Sequence, residues 1–312
     1  MSLARPFGLE PRLSLTMVVA QHIPAAVTST PASELPLGAV SERFSPMRDV
    51  WEPSQYERFR DERSQPFFDL LSLVAPRADG RVIDLGCGTG ELTRHLHRHV
   101  QASETVGIDE SASMLAKARA YEGQGLRFEH KDIATWEPRE KFDVVFSNAA
   151  LHWLPDHESL LGRLASALAP GGQLAVQVPA NFDHPSHATA RQLAQEAPFR
   201  QALGGFGGAP SVLLPERYAM ILHRLHLSRL HVRLQVYVHV LDGPAEVVRW
   251  VRGTLLTDYE RRLEPEVFER FLERYKAVLL DRIGDERPYA YTFKRVLLRG
   301  VARGAGEGLS SA

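Results

Sequence analysis

Cysteine is almost missing from this chain: Cys87 stands alone among 312 residues. No internal disulfide is available to staple the fold, and a reducing compartment, the cytoplasm, is the expectation. No apolar run approaches the roughly twenty residues that a membrane-spanning helix requires, so an integral helical membrane protein is not expected. An excess of either charge is lacking too, with 37 Lys and Arg against 38 Asp and Glu. A chain so balanced has no overall field to draw in a polyanion, and a nucleic-acid partner is disfavoured. What is present is ordinary globular material, 44% hydrophobic and 24% charged, long enough for one large domain or two small ones.

Residues 1–46 contain no uninterrupted apolar segment, because Pro6, Pro11, Pro24, Pro31, Pro36 and Pro46 break each one. This stretch is expected to be a disordered extension, or to precede a start at Met47. Leu13 to Ala20 is too short for a signal-peptide core and lacks a clear basic start. At Trp51, Tyr56 and Phe59 aromatic residues enter, and the folded domain is expected over residues 47–303. Pro66 to Val74 reads as a helix with its proline in the first turn. Residues 304–312 read as a flexible tail.

The domain is organised around Arg81-Val82-Ile83-Asp84-Leu85-Gly86-Cys87-Gly88-Thr89-Gly90: an apolar strand, a carboxylate, three alternating glycines and a helix start. Glycine lets the backbone turn sharply and lets a ligand lie against it. A second strand, Thr105 to Asp109, ends in an acid about twenty residues beyond the glycines, where nucleotide-binding sheets place a carboxylate for ribose hydroxyls. Leu126 to Phe128 leads to Asp132 and Ile133, and Phe142 to Phe146 leads to Asn148. Polar residues thus follow four successive strands. The expected fold is α/β, a doubly wound, mostly parallel sheet whose strand ends converge on one crevice. A dinucleotide dehydrogenase would set its glycines as Gly-x-Gly-x-x-Gly, which this turn does not.

Beyond this half, Leu160, Leu161, Leu164 and Leu168 recur at helical spacing and read as core. Gln173 to Val178 reads as the fifth strand. Residues 180–288 are expected to form a helical substrate cap, with a glycine-rich turn at 204–208 and a helix over Glu216 to Leu225. Val232, Leu234, Val236 and Val238 alternate as a strand. A helix within Glu266 to Ile283 carries Phe268, Phe271, Leu272, Tyr275, Val278 and Leu279 on one stripe. Tyr291 to Val301 is expected to close the sheet. His95, His97 and His99 alternate along a helical stretch and so share no face, which argues against a metal.

Asp84 to Gly90, Gly107-Ile108-Asp109-Glu110-Ser111 with Met114-Leu115, Asp132, and Asn148-Ala149-Ala150-Leu151-His152-Trp153 together resemble the class I S-adenosylmethionine-dependent methyltransferases. Trp51 to Tyr56, Ser147 to His157, Gly171 to Pro179 and Asn181-Phe182 with Pro185-Ser186-His187 further resemble the trans-aconitate 2-methyltransferase family. The likeness runs from about Trp51 to Ala302 and weakens over the cap, where Leu234 to His239 replaces the family's Trp-Glu-Thr-Thr-Tyr-like strand. The resemblance implies S-adenosyl-L-methionine as cofactor, held by Tyr56, Arg63, Asp84, Gly86, Cys87, Gly88, Asp109, Met114, Asp132, Ile133 and Asn148. It implies a small carboxylic acid as acceptor, contacted by His152, Trp153, Arg287 and Arg295. A carboxylate is already ionised near neutral pH, so positioning replaces a catalytic base. A malonyl-carrier-protein or other small-molecule methyltransferase, or a non-catalytic S-adenosylmethionine sensor, would share the same glycine turn.

Overall fold

In the computed structural model the described residues are 60–304, with side chains from Ser64 onward. They fall within one compact unit, Pro46–Ala312. The extension assigned to residues 1–46, Tyr56 and nearly all of the tail lie outside the described residues.

The strands are β1 (Arg81–Leu85), β2 (Glu104–Asp109), β3 (Leu126–His130), β4 (Phe142–Asn148), β5 (Leu168–Pro179), β6 (Ser228–Leu241) and β7 (Tyr289–Val301). They form one seven-stranded sheet in the order β3-β2-β1-β4-β5-β7-β6. The first five are mutually parallel, and β7 runs antiparallel to both of its neighbours. This is the doubly wound, mostly parallel sheet that the strand and glycine pattern predicts. Central strands of such a sheet are covered on both faces and read as continuous apolar runs. Val82, Ile83, Leu85, Val144, Val145 and Phe146 accordingly sit at 2% exposure or less. Strand order reverses at β1, which opens a crevice at the carboxyl ends.

The helices are α1 (Arg60–Leu71), α2 (Glu91–Val100), α3 (Ala112–Ala118), α4 (His157–Ser166), α5 (Pro185–Leu193), α6 (Phe199–Ala202), α7 (Pro215–Arg224), α8 (Ala245–Arg252), α9 (Thr257–Glu260) and α10 (Pro265–Ile283). On one face Phe67, Leu70 and Leu71 of α1 and Leu96 of α2 bury against Val82, Val144, Phe146, Ala175 and Leu297. On the other, Leu160, Leu161 and Leu164 of α4 and Tyr218, Ile221 and Leu222 of α7 bury against Ile83, Val145, Leu174 and Val296. Each such side chain contributes roughly 1.5–3 kcal/mol on burial.

Several expectations are corrected. The first helix starts at Arg60 rather than at Pro66, which lies inside it. An interior proline forfeits one backbone hydrogen bond, and the buried Phe67 and Leu70 on the next turn offset that loss. Leu168 opens β5 instead of ending the helical stripe. The strand expected within residues 180–288, β6, joins the main sheet. Nor does the last strand lie at the sheet edge: β7 is inserted between β5 and β6.

The apolar alternation on β6 is present, but Leu234, Val236 and Val238 point outward, at 48%, 48% and 60% exposure. The buried side belongs to His239 and Leu241. On the same side as His239, Tyr237 donates to Asp69 of α1 at 2.6 Å. Helices flanking β6 in sequence build a second core, in which Trp250, Tyr259, Phe268, Phe271, Tyr275 and Leu279 pack with Tyr291 and Phe293 of β7.

Candidate active site

The glycine turn joins β1 to α2. Gly86 adopts φ +82°, and a Cβ there would stand 2.3 Å from that of Ala150, so the turn after β4 can approach only because position 86 is glycine. Gly88 has φ +53°, and a Cβ built on it meets nothing within 4 Å. The backbone there borders open space of the kind a ligand lying on the loop would fill. Asp109 fixes the loop from the end of β2. Its Oδ2 accepts the Gly88 N–H at 2.8 Å, and its Oδ1 accepts the Ser111 N–H at 2.9 Å. Ser111 in turn caps α3, accepting from the N–H of Met114.

Asp84 is buried one strand away and accepts from the Thr93 hydroxyl of α2 at 2.7 Å. Removal from water pushes its carboxyl up to about 7, the Thr93 hydrogen bond opposes this, and the charge of Asp109 adds to it. Burial also raises the Cys87 thiol, beside the same two carboxylates. Because the folded Asp84 holds its proton to a higher pH than an unfolded carboxyl, the unfolded state binds fewer protons between about pH 4 and about pH 7, and stability falls as pH rises through that window. Asp84→Asn is therefore expected to stabilise the ligand-free protein by about 1–4 kcal/mol at pH 8. The gain should vanish near pH 4, and denaturant unfolding at the two pH values measures it. Donor affinity should fall in the same variant, since a buried carboxylate calls for a cation.

Other members of the expected donor set lie on or after the neighbouring strands and on α1. Met114 and Ile133 are half-buried. Asp132 is exposed and accepts the Ala134 N–H at 2.7 Å, leaving its second oxygen available. Asn148 ends β4 with its buried Oδ1 lacking any partner among the described residues. Arg63 lies on α1, whose residues from Pro66 onward line the same face of the sheet.

The expected acceptor residues divide. His152 and Trp153 form a short helical turn after β4, with their rings 4.6 Å apart. Trp153 is 42% exposed, whereas the Nδ1 of His152 is sealed from solvent without a partner. The turn is pinned: Ser211 donates to the His152 carbonyl at 2.7 Å, and buried His157 links the Leu151 carbonyl to the Tyr218 hydroxyl. Arg295 stands at the carboxyl end of the sheet, paired with Pro179 of β5, its guanidinium 4.4 Å over the Phe293 ring.

Burial, then the charge of Arg295, lowers His152 to about 3. His187 on α5 is lowered to about 3, by burial and then by His184, Arg191 and Arg295. These histidines are neutral at physiological pH beside a guanidinium. Arg287 is not part of this group. It is exposed, packs on Gly243 ahead of β7, and the strand from Tyr289 to Arg295 alone spans about 20 Å. Arg287 precedes β7 at the end of the β6–β7 pair where Leu241 meets Tyr289. His223 and His226 are exposed near the opposite edge, where β6 begins beside Val301.

Two residues at this end carry no role in the sequence reading. One is His187. The other is Gln177 on β5, fully buried with both amide atoms unpartnered. The available signal was a lone amide in the apolar run Leu174-Ala175-Val176-Gln177-Val178, just before the strand ends. Among the described residues no group of three or more His, Cys, Asp or Glu side chains is arranged to hold a metal.

A family model described as a methyltransferase domain matches residues 56–207. The trans-aconitate 2-methyltransferase of Deinococcus radiodurans is 45% identical over 80% of this chain and 96% of its own length. That of Variovorax paradoxus is 39% identical over 79% of this chain and 94% of its own. Among solved structures, the YcgJ protein from a Bacillus species aligns over 77% of this chain and 99% of its own with a TM-score of 0.52 at 15% identity, a likeness of fold.

Proposed function

This chain belongs to the trans-aconitate 2-methyltransferase family and is an S-adenosylmethionine-dependent methyltransferase, and from that premise we propose that it esterifies one carboxylate of a small polycarboxylic acid, trans-aconitate foremost. The observation that carries the acceptor class is Arg295 at the carboxyl end of the sheet, acting with buried, neutral His152 and His187. A guanidinium matches carboxylate geometry with two parallel hydrogen bonds. The open space over Gly88, the buried acid Asp84 and the unpartnered Oδ1 of Asn148 fit the donor.

When bound, S-adenosylmethionine supplies an electrophilic methyl on a sulfonium. The chain's own residues position and enclose. Asp84 offers a carboxylate to the donor's ammonium, and the Gly86-Cys87-Gly88 turn gives it a surface without side chains. Asp109 keeps lone pairs for ribose hydroxyls while holding that turn. Met114, Asp132 and Ile133 flank the base, Asn148 meets the donor at the end of β4, and the family resemblance assigns Tyr56 and Arg63 to the donor's carboxylate. Arg295, His152 and Trp153 orient the acceptor with one carboxylate oxygen toward the methyl. No proton has to be removed, because that oxygen is already anionic.

Transfer of labelled methyl to trans-aconitate tests the reading directly. Donor binding without turnover across an acceptor panel would make the chain a sensor, and turnover only with a loaded carrier protein would move the acceptor to that class. The pH dependence gives a second test. With His152 neutral from about pH 4 upward, the single-turnover rate at saturating ligands is expected to stay flat from about pH 6 to about pH 9. His152→Gln should weaken acceptor binding without reshaping that profile. A limb near pH 6.5, the ordinary histidine value, that disappears with His152 would defeat the carboxylate reading.

A further inference from the structure

Gln177 is the one fully buried amide on β5 whose nitrogen and oxygen both lack a partner among the described residues. Its neighbour on the same strand face, Gln173, shows what a structural amide does here: it bonds both the N–H and the carbonyl of Ala75 at 2.9 Å, and Arg299 as well. Leaving a buried polar group unmade is costly, so Gln177 is kept for something other than holding the sheet.

Its position says what. Gln177 is the direct partner of Asn148 on β4 and of Leu297 on β7. Paired residues on neighbouring strands point to the same face, so the Gln177 and Asn148 side chains lie side by side. Arg295 follows on that face, two residues beyond Leu297 toward the carboxyl edge. Gln177 therefore stands beyond β4 on the side away from the Asp109 strand, between the residue that ends the donor set and the guanidinium assigned to the acceptor.

We propose that the Gln177 amide binds and orients the acceptor carboxylate that receives the methyl, while Arg295 grips another carboxylate of the same molecule. This rests on the polycarboxylate reading above. Chemistry favours such a division. A carboxylate clamped by a guanidinium has its charge drawn away from the attacking oxygen, whereas a neutral amide fixes its direction through one N–H donor and leaves it electron-rich. The Gln177 Nε2 donates to the reacting carboxylate. Attack forms the ester C–O–CH3 bond as the sulfonium's S–CH3 bond breaks, its electron pair returning to sulfur.

The test is Gln177→Met, an unbranched substitute of similar length. In steady-state assays with S-adenosylmethionine and trans-aconitate, kcat/KM is expected to fall by about 10- to 100-fold. S-adenosylmethionine affinity by calorimetry should stay within about twofold, and the ligand-free melting temperature should not fall, because an unpartnered amide has been removed. Gln177→Glu, which sets a carboxylate against the acceptor, should lose more activity than the Met variant. Unchanged kcat/KM in a folded Gln177→Met protein overturns the inference and leaves the polycarboxylate reading intact. A lowered melting temperature together with lost donor affinity overturns it in favour of a structural amide. A wild-type protein that binds the donor but leaves trans-aconitate unmethylated defeats both readings together.

Discussion

Arg295→Leu is expected to weaken acceptor binding by about 10- to 100-fold, the scale of a lost charge-assisted hydrogen bond to a partner left buried. The variant takes away the cation that β7 places beside the carboxyl end of β5 and keeps an apolar body where the guanidinium covers Phe293. S-adenosylmethionine affinity should be unchanged, since none of the proposed donor residues lies on β7. Arg295→Lys should recover only part of the loss, because a point charge cannot bond two carboxylate oxygens in the fork geometry. The trans-aconitate KM, measured at saturating donor, separates these outcomes. A leucine variant with the wild-type KM would remove Arg295 from the site.

The donor side has its own large effect. Asp109→Ala leaves the Gly88 and Ser111 N–H groups without their acceptor and takes away the lone pairs proposed for the ribose. The dissociation constant for S-adenosylmethionine should rise by about 5- to 150-fold, equivalent to roughly 1–3 kcal/mol. Asp109→Asn keeps one carbonyl oxygen for the Gly88 N–H and should lie between the wild type and alanine. Wild-type affinity in a folded alanine variant would reduce Asp109 to a capping residue.

The nucleotide-binding half was legible because each of its signals is local. A run such as Val82 to Leu85 has one apolar solution, and a turn needing φ +53° at Gly88 announces itself by residue type. The carboxylates at strand tips follow from spacing along the chain. What escaped depends on pairing across long separations. Nothing near Tyr289 to Val301 in sequence says that this strand lies between β5 and β6, and that insertion is what carries Arg295 to the crevice and Arg287 away from it. The facing of β6 was hidden for a similar reason: its alternation shows that two sides differ, but the buried side is set by Asp69 of α1, 168 residues away from Tyr237. Gln177 was invisible as a site residue because an amide in a strand looks alike whether satisfied, as Gln173 is, or left unpaired.

The placement of β7 bears on how the chain is made. Its pairing with β5 joins Gln173 to Val301 and Pro179 to Arg295, so the last strand in chain order bonds the interior of the sheet rather than its rim. A ribosome releases those residues after every other strand of the sheet. Until they emerge, β5 has an open edge and β6 has no strand to pair with, and the proposed acceptor site lacks its cation. The five parallel strands all precede β7 in the chain, so the proposed acceptor recognition comes after them in synthesis, and a product cut short before Tyr289 would bring two unsatisfied strand edges into water with no Arg295 to show for them.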